Sequence, residues 1–207
     1  MYYINLVIIF ITFAAVLLVA RNRIIFDKKI EKNKRSFLER ESKANSTRKA
    51  DISNLDYVNL SLDKLPVNAS SSDKYNSLIN ELNQLSEKRI IDLSKYSNTE
   101  LKLMYGPANL DALSEYDQNY LSLIRTLDSI SSLLIEEGNI SAAKEYLQYS
   151  ISIGSDLSSS YGMLGKIYLD ENDNKSFNEL EKLASRNKTL SGPIIVNNLN
   201  NIKSAHK

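Results

Sequence analysis

The sequence predicts an all-α protein: an N-terminal transmembrane helix, a linker, and then an α-helical array of antiparallel helix pairs. Three observations carry that expectation. The first twenty residues hold no charged side chain. From Asp73 onward, apolar residues recur at steps of three and four, the spacing of one helix face. No strand-like alternation competes with that spacing in the part after Ile124. The expected divisions are an anchor over 1–23, a basic juxtamembrane helix and linker over 24–72, and a helical domain over 73–207.

The anchor comes first. Ile4 to Ala20 is interrupted by only two polar residues, Asn5 and Thr12. As a helix it is about 26 Å long, against a hydrocarbon core of about 30 Å. Tyr2 and Tyr3 on one side and Ile24–Phe26 on the other make up the difference, so membrane lipid is the expected partner of residues 1–26. A cleaved signal peptide is disfavoured, because no basic side chain precedes the run and the small-x-small site is spoiled by Leu18. From Arg21 to Ala50 there are eleven Lys and Arg against four Asp and Glu, a surplus of +7. With a net charge of +1, the remainder from Asp51 carries −6. The basic collar should stay in the cytoplasm, which predicts a single-pass cell-membrane protein with its N-terminus outside and its C-terminal domain inside. Two readings of the collar stand: a solvated stalk that fixes topology, favoured here, or a lipid-headgroup contact with Ile30 and Phe37 dipping into the surface.

Asn, Ser and Asp with Pro66 make Ala44–Ser72 a linker, within which Leu55–Val67 alternates enough to dock as a short extended segment. Tyr75, Leu78, Ile79, Leu82, Leu85, Ile90 and Leu93 place a helix over Asp73–Lys95. Ser97 and Glu100 form a capping box for a short helix to Tyr105, which Gly106 and Pro107 end. Leu110, Leu113, Tyr116, Tyr120, Leu123, Leu127, Ile130 and Leu134 predict one long helix, Asn109–Glu137, stopped by Gly138 in a left-handed conformation. Three shorter helices follow, through Ser141–Ile153, Ser158–Leu169 and Lys175–Asn187, with a last one after Pro193.

The stretch from Ile124 to Arg186 resembles two tetratricopeptide (TPR) repeats, a 34-residue helix-turn-helix unit. Tyr161, Leu164, Gly165 and Tyr168 match the aromatic, Leu, small and Tyr positions of that unit's first helix. Thirty-four residues earlier stand Leu127, Ile130, Ser131 and Leu134, with Gly138 at the turn and Ala143 at the small position of the second helix. Asn172 replaces the turn glycine in the second unit, Phe177 replaces the small residue, and the proline after each unit is missing. The resemblance covers about 60 of 207 residues. It implies TPR-like repeats over 124–157 and 158–191, and a peptide groove on the first helices that includes Arg125, Asp128, Ser132, Ser159 and Lys166. It also implies that Phe177 packs against Gly165, offsetting the glycine's cost in a helix of about 1 kcal/mol.

Chemistry is scarce. There is no cysteine, and the one histidine is His206, so thiolate metal sites and histidine general bases have nothing to build on. Gly162–Tyr168 lacks the spacing and the Ser or Thr of a phosphate loop. Ser141–Lys144 lacks the companions of a serine–lysine nucleophile, and Asp170–Asn174 lacks the glycine and glutamate of a calcium loop. Tyr116, Tyr120, Tyr161 and Tyr168 read as core rather than as a ligand box. The expectation is therefore a non-enzymatic protein with no cofactor, no metal and no nucleic acid, which acts as a membrane-anchored adaptor or scaffold for a protein or peptide partner. The alternative is a structural subunit of a larger envelope, division or secretion complex.

Overall fold

The computed structural model describes the backbone of residues 2–187 and 189–206, and their side chains from Leu17 onward. Among these residues the structure is all-helical, without strands. Its α-helices are α1 (Tyr2–Asn45), α2 (Asp73–Ser86), α3 (Asn98–Tyr105), α4 (Leu110–Glu136), α5 (Ile140–Ser152), α6 (Ser158–Asp170), α7 (Asn174–Arg186) and α8 (Gly192–Ala205). Single 3-10 turns cover Leu62–Lys64 and Pro107–Asn109. The chain divides into two units: residues to Ala50 with Asn98–Asn109, and Asp51–Ser97 with Leu110 onward.

In the first unit, α1 is one unbroken helix of 44 residues, about 66 Å long. Among the described residues no helix is long and apolar enough to cross a membrane, so the transmembrane helix expected over 1–23 is not supported there. Most of the apolar run behind that expectation, residues 4–16, has side chains outside the described ones. Helix α1 ends at Asn45, beside the expected start of the linker at Ala44, and its last turns form a docking site. Ala44 is buried, and Glu41 accepts hydrogen bonds from Thr99 Oγ1 and, at 3.3 Å, from Lys102 Nζ. Arg40 pairs with Glu100 at 3.4 Å. The chain after α1 then folds onto α3: Ala50 N–H donates to Tyr105 O at 2.9 Å, and Asn109 Nδ2 donates to Ala50 O at 2.8 Å. Gly106, at φ +82°, lets the backbone of Arg48 come this close.

The second unit begins with the rest of the expected linker, which lies on the helical core. Val58, Leu60 and Leu62 pack on it, and Leu65 is buried. Tyr75 Oη donates to Pro66 O at 2.7 Å and lies 3.2 Å from Tyr146 Oη. The helix expected over Asp73–Lys95 stops at Ser86. Ile90, Ile91 and Leu93 are still buried, but in extended chain whose backbone is claimed from outside. Val58 N–H donates to Ile90 O at 2.8 Å, Ile91 N–H to Tyr116 O at 3.3 Å, and Leu93 N–H to Asp117 Oδ1 at 2.8 Å. Asn119 Nδ2 donates to Arg89 O at 3.0 Å. Those partners replace the helical bonds that periodicity alone predicts.

From α4 on, the elements recur at a fixed interval. α4 and α6 end 34 residues apart, α5 and α7 begin and end 34 apart, and α6 and α8 begin 34 apart. The turns recur too. Gly138 (φ +80°) and Asn172 (φ +58°) occupy the left-handed position. The next residue in each case, Asn139 or Asp173, donates its N–H at 2.8 Å to the carbonyl five positions back, Leu134 or Tyr168. This closes a Schellman motif. Asn139 and Asp173 then cap the following helices, their side chains accepting from Ala142 N–H at 3.3 Å and Ser176 N–H at 3.0 Å. α8 stands where the first helix of a third pair would begin, with proline in its first turn and with Ile195 and Leu199 fully buried.

Candidate functional site

The expected groove residues divide into two kinds. Arg125 and Lys166 are exposed on α4 and α6. Asp128 and Ser159 are tied to each other instead: Asp128 Oδ1 accepts from Ser159 Oγ at 2.8 Å and from Ser160 Oγ at 2.6 Å. That carboxylate staples α4 to α6. Ser132 is half-buried on α4.

The residues expected to pack the repeats lie in the interior, apart from Gly138. Leu127, Leu134 and Ala143 are fully buried; Tyr161, Leu164, Tyr168 and Phe177 are nearly so; Gly165 is buried and Gly138 sits exposed at its turn. Gly165 does approach Phe177, whose Cε2 would be 3.3 Å from an added Cβ, but Leu199 Cδ2 would be nearer, at 2.7 Å. Gly162 makes the same allowance for Asn198, whose Nδ2 would lie 2.7 Å from a Cβ and donates to Ser158 O at 3.0 Å. The two glycines thus seat α8 on α6. Sequence reasoning assigned the close approach to α7 because α8 lies outside the matched repeats. Tyr168 receives a hydrogen bond from Gln148 Nε2 at 3.0 Å and has Lys144 Nζ 5.1 Å from its ring centre. Lys144 pairs with Glu171 at 2.5 Å.

A second surface was not apparent in the sequence. A cleft of about 440 Å³ opens between the extended segment near Asp92, α4, the α5–α6 turn, α6 and the end of α7. Tyr120 and Tyr161 line it, although they are only 4% and 5% exposed. Asp92, Asp156 and Arg186 stand in its walls. Gly154, at φ +96°, brings the α5–α6 turn against Tyr120, whose hydroxyl would be 3.4 Å from a Cβ there. The same hydroxyl makes one long bond, 3.4 Å to Ile153 O. Burial, and then the carboxylates of Asp92 and Asp156, push the Tyr120 phenol well above its ordinary range. Burial and then Asp156 push Tyr161 up as well. Both phenols therefore remain protonated near neutrality.

Tyr120 and Tyr161, which the sequence marks as core, are buried and also line the cleft. Asp92, Asp156 and Arg186 were missed because they come from separate segments and form no local pattern. Their one shared signal is position next to a helix end or turn, which marks most polar residues in a helical protein. Among the described residues, no three His, Cys, Asp or Glu side chains are grouped to hold a metal ion. Comparisons with protein-family models, with characterised proteins and with solved structures return no match.

Proposed function

We propose that this chain is a membrane-tethered, non-enzymatic adaptor whose TPR-like helix pairs dock another protein. One observation carries the reading. The pairs α4–α5 and α6–α7 repeat with the same turn and cap geometry 34 residues apart, and between their ends they leave a cleft that no internal side chain fills. Helical repeats stacked in this way serve as rigid frames for concave binding surfaces. The tether is supported by the uncharged first twenty residues, the helical backbone that runs through them, and the basic stretch beyond. That same charge step favours the N-terminus outside and the helical body in the cytoplasm.

The test is site-specific photo-crosslinking in intact membranes with the full chain. A photoreactive residue at Leu121 or Leu183, which flank the cleft, should give a discrete adduct that the same residue at exposed Lys175 does not give. Equal or absent labelling at all three positions overturns the reading. The tether is tested separately, because full chain released from membranes by alkaline carbonate would refute it. A second reading, a permanent subunit of an envelope assembly, is favoured by the exposure of Leu183, Leu190 and Ile194. It predicts self-association or aggregation of the purified full chain in mild detergent, where an adaptor stays monodisperse.

A further inference from the structure

We propose that the cleft between the α5–α6 turn and the end of α7 is a receptor for a guanidinium group, supplied by an arginine side chain of the docked partner. The proposal rests on the adaptor reading above and names the chemistry of its site.

Four polar groups face this cleft without adequate partners of their own. Among the described residues no hydrogen bond reaches the Tyr161 hydroxyl, although the residue is 5% exposed and lines the cavity. The Tyr120 hydroxyl has only its 3.4 Å contact with Ile153 O. Asp92 accepts one bond, from Ser94 N–H at 2.9 Å, which leaves acceptor capacity free. Asp156 accepts none among the described residues and lines the same cleft as both phenols. Arg186 is also on the rim, but no ion pair joins it to Asp92 or Asp156 among those residues. Arg186 thus offsets one of the two negative charges at a distance and leaves both carboxylates without an ion pair.

The Tyr161 hydroxyl opens onto the cleft and is reached by solvent, so a ligand bonded there replaces water. Which ligand would do so follows from the groups. Two carboxylates and two phenol oxygens are acceptors, so the ligand must bring several N–H donors and a positive charge. A bare metal ion would find two carboxylates and two neutral phenols, a poor oxygen set. A guanidinium carries five donors in a planar fork that fits carboxylates two at a time, and its face stacks on tyrosine. A cavity of about 440 Å³ also has room for the alkyl stem.

The experiment is an amide chemical-shift titration of the full chain in detergent micelles, followed at Gly154, Ser155 and Asp156. The probes are N-acetyl-arginine amide and its neutral isostere, N-acetyl-citrulline amide. The arginine probe should give saturable shifts that weaken as salt is raised, and the citrulline probe should bind about tenfold more weakly or not at all. Asp156→Asn and Asp92→Asn should each weaken the arginine probe about tenfold, and Tyr161→Phe by a smaller factor. A melting curve checks each variant, and if one fails to fold, the probe pair and the salt series on the unaltered chain decide. Equal binding of both probes, or no shift with the arginine probe, overturns the proposal. Because the probes need no partner, a failure here alongside cleft-specific crosslinking would leave the adaptor reading in place.

Discussion

At the scale of single residues, the sharpest constraint is the pair Gly165 and Leu199. A Cβ on residue 165 would lie 2.7 Å from Leu199 Cδ2, closer than carbon atoms approach. Gly165→Leu should cost about 1–3 kcal/mol by overpacking and lower the melting temperature by several degrees. Adding Leu199→Ala should restore part of that loss, which thermal melts of the single and double variants will show. Asn172 offers the opposite sign. It sits at φ +58° where the equivalent position 34 residues earlier is glycine, so Asn172→Gly should stabilise by about 0.5–1 kcal/mol. A β-branched residue at 172 should destabilise, and denaturant midpoints measure both. Gly165 was legible in the sequence as a close helix contact, since a mid-helix glycine needs a reason. Which helix it meets was not legible, because α8 has a polar, asparagine-rich sequence whose buried positions are only Gly192, Ile195 and Leu199.

At the scale of elements, the turns and caps set the array's register. Asn139 accepts from Ala142 N–H at 3.3 Å and also donates through Nδ2 to Ala69 O at 2.9 Å. Asn139→Ala should therefore cost about 1 kcal/mol for the cap, and it should increase amide exchange in the segment before α2 as well. Asp173 has a carboxyl held below the ordinary aspartate range, first by the Ser176 hydroxyl and then by the Ser176 N–H. A depressed native pKa stabilises the fold above the unfolded value and loses that contribution as pH falls through the native one. The unaltered chain should thus lose stability on acidification below about pH 4. Asp173→Asn, which keeps the cap without the charge, should lose less over the same window in acid melts. These elements were readable from local spacing. The early stop of α2 was not, because the partners that claim the backbone of residues 89–93 lie on α4 and at Val58, far off in sequence. The cleft failed to appear for the same reason: five segments meet there, and none carries a motif.

At the scale of the molecule, each unit keeps its own logic. In the first, Gly106 cannot take a side chain: a Cβ would fall 2.5 Å from Arg48 O, a backbone atom with no freedom to yield, at a φ of +82°. Gly106→Ala should detach residues 46–50 from the chain beside α3, and hydrogen exchange at the Ala50 amide, now bonded to Tyr105 O, should rise accordingly. In the second unit, the register that relates α4, α6 and α8 places Ser131, Gly165 and Leu199 at equivalent positions. Helix α6 therefore presents no side chain where α8 presents a large one. That asymmetry limits how the array could be lengthened by tandem duplication. A copied block of residues 158–191 would set one glycine opposite another and open a void at the new junction, which only the final copy, abutting Leu199, would escape. The closing helix is keyed to the pair before it, so an engineered extension would have to transplant the bulky partner along with the repeat.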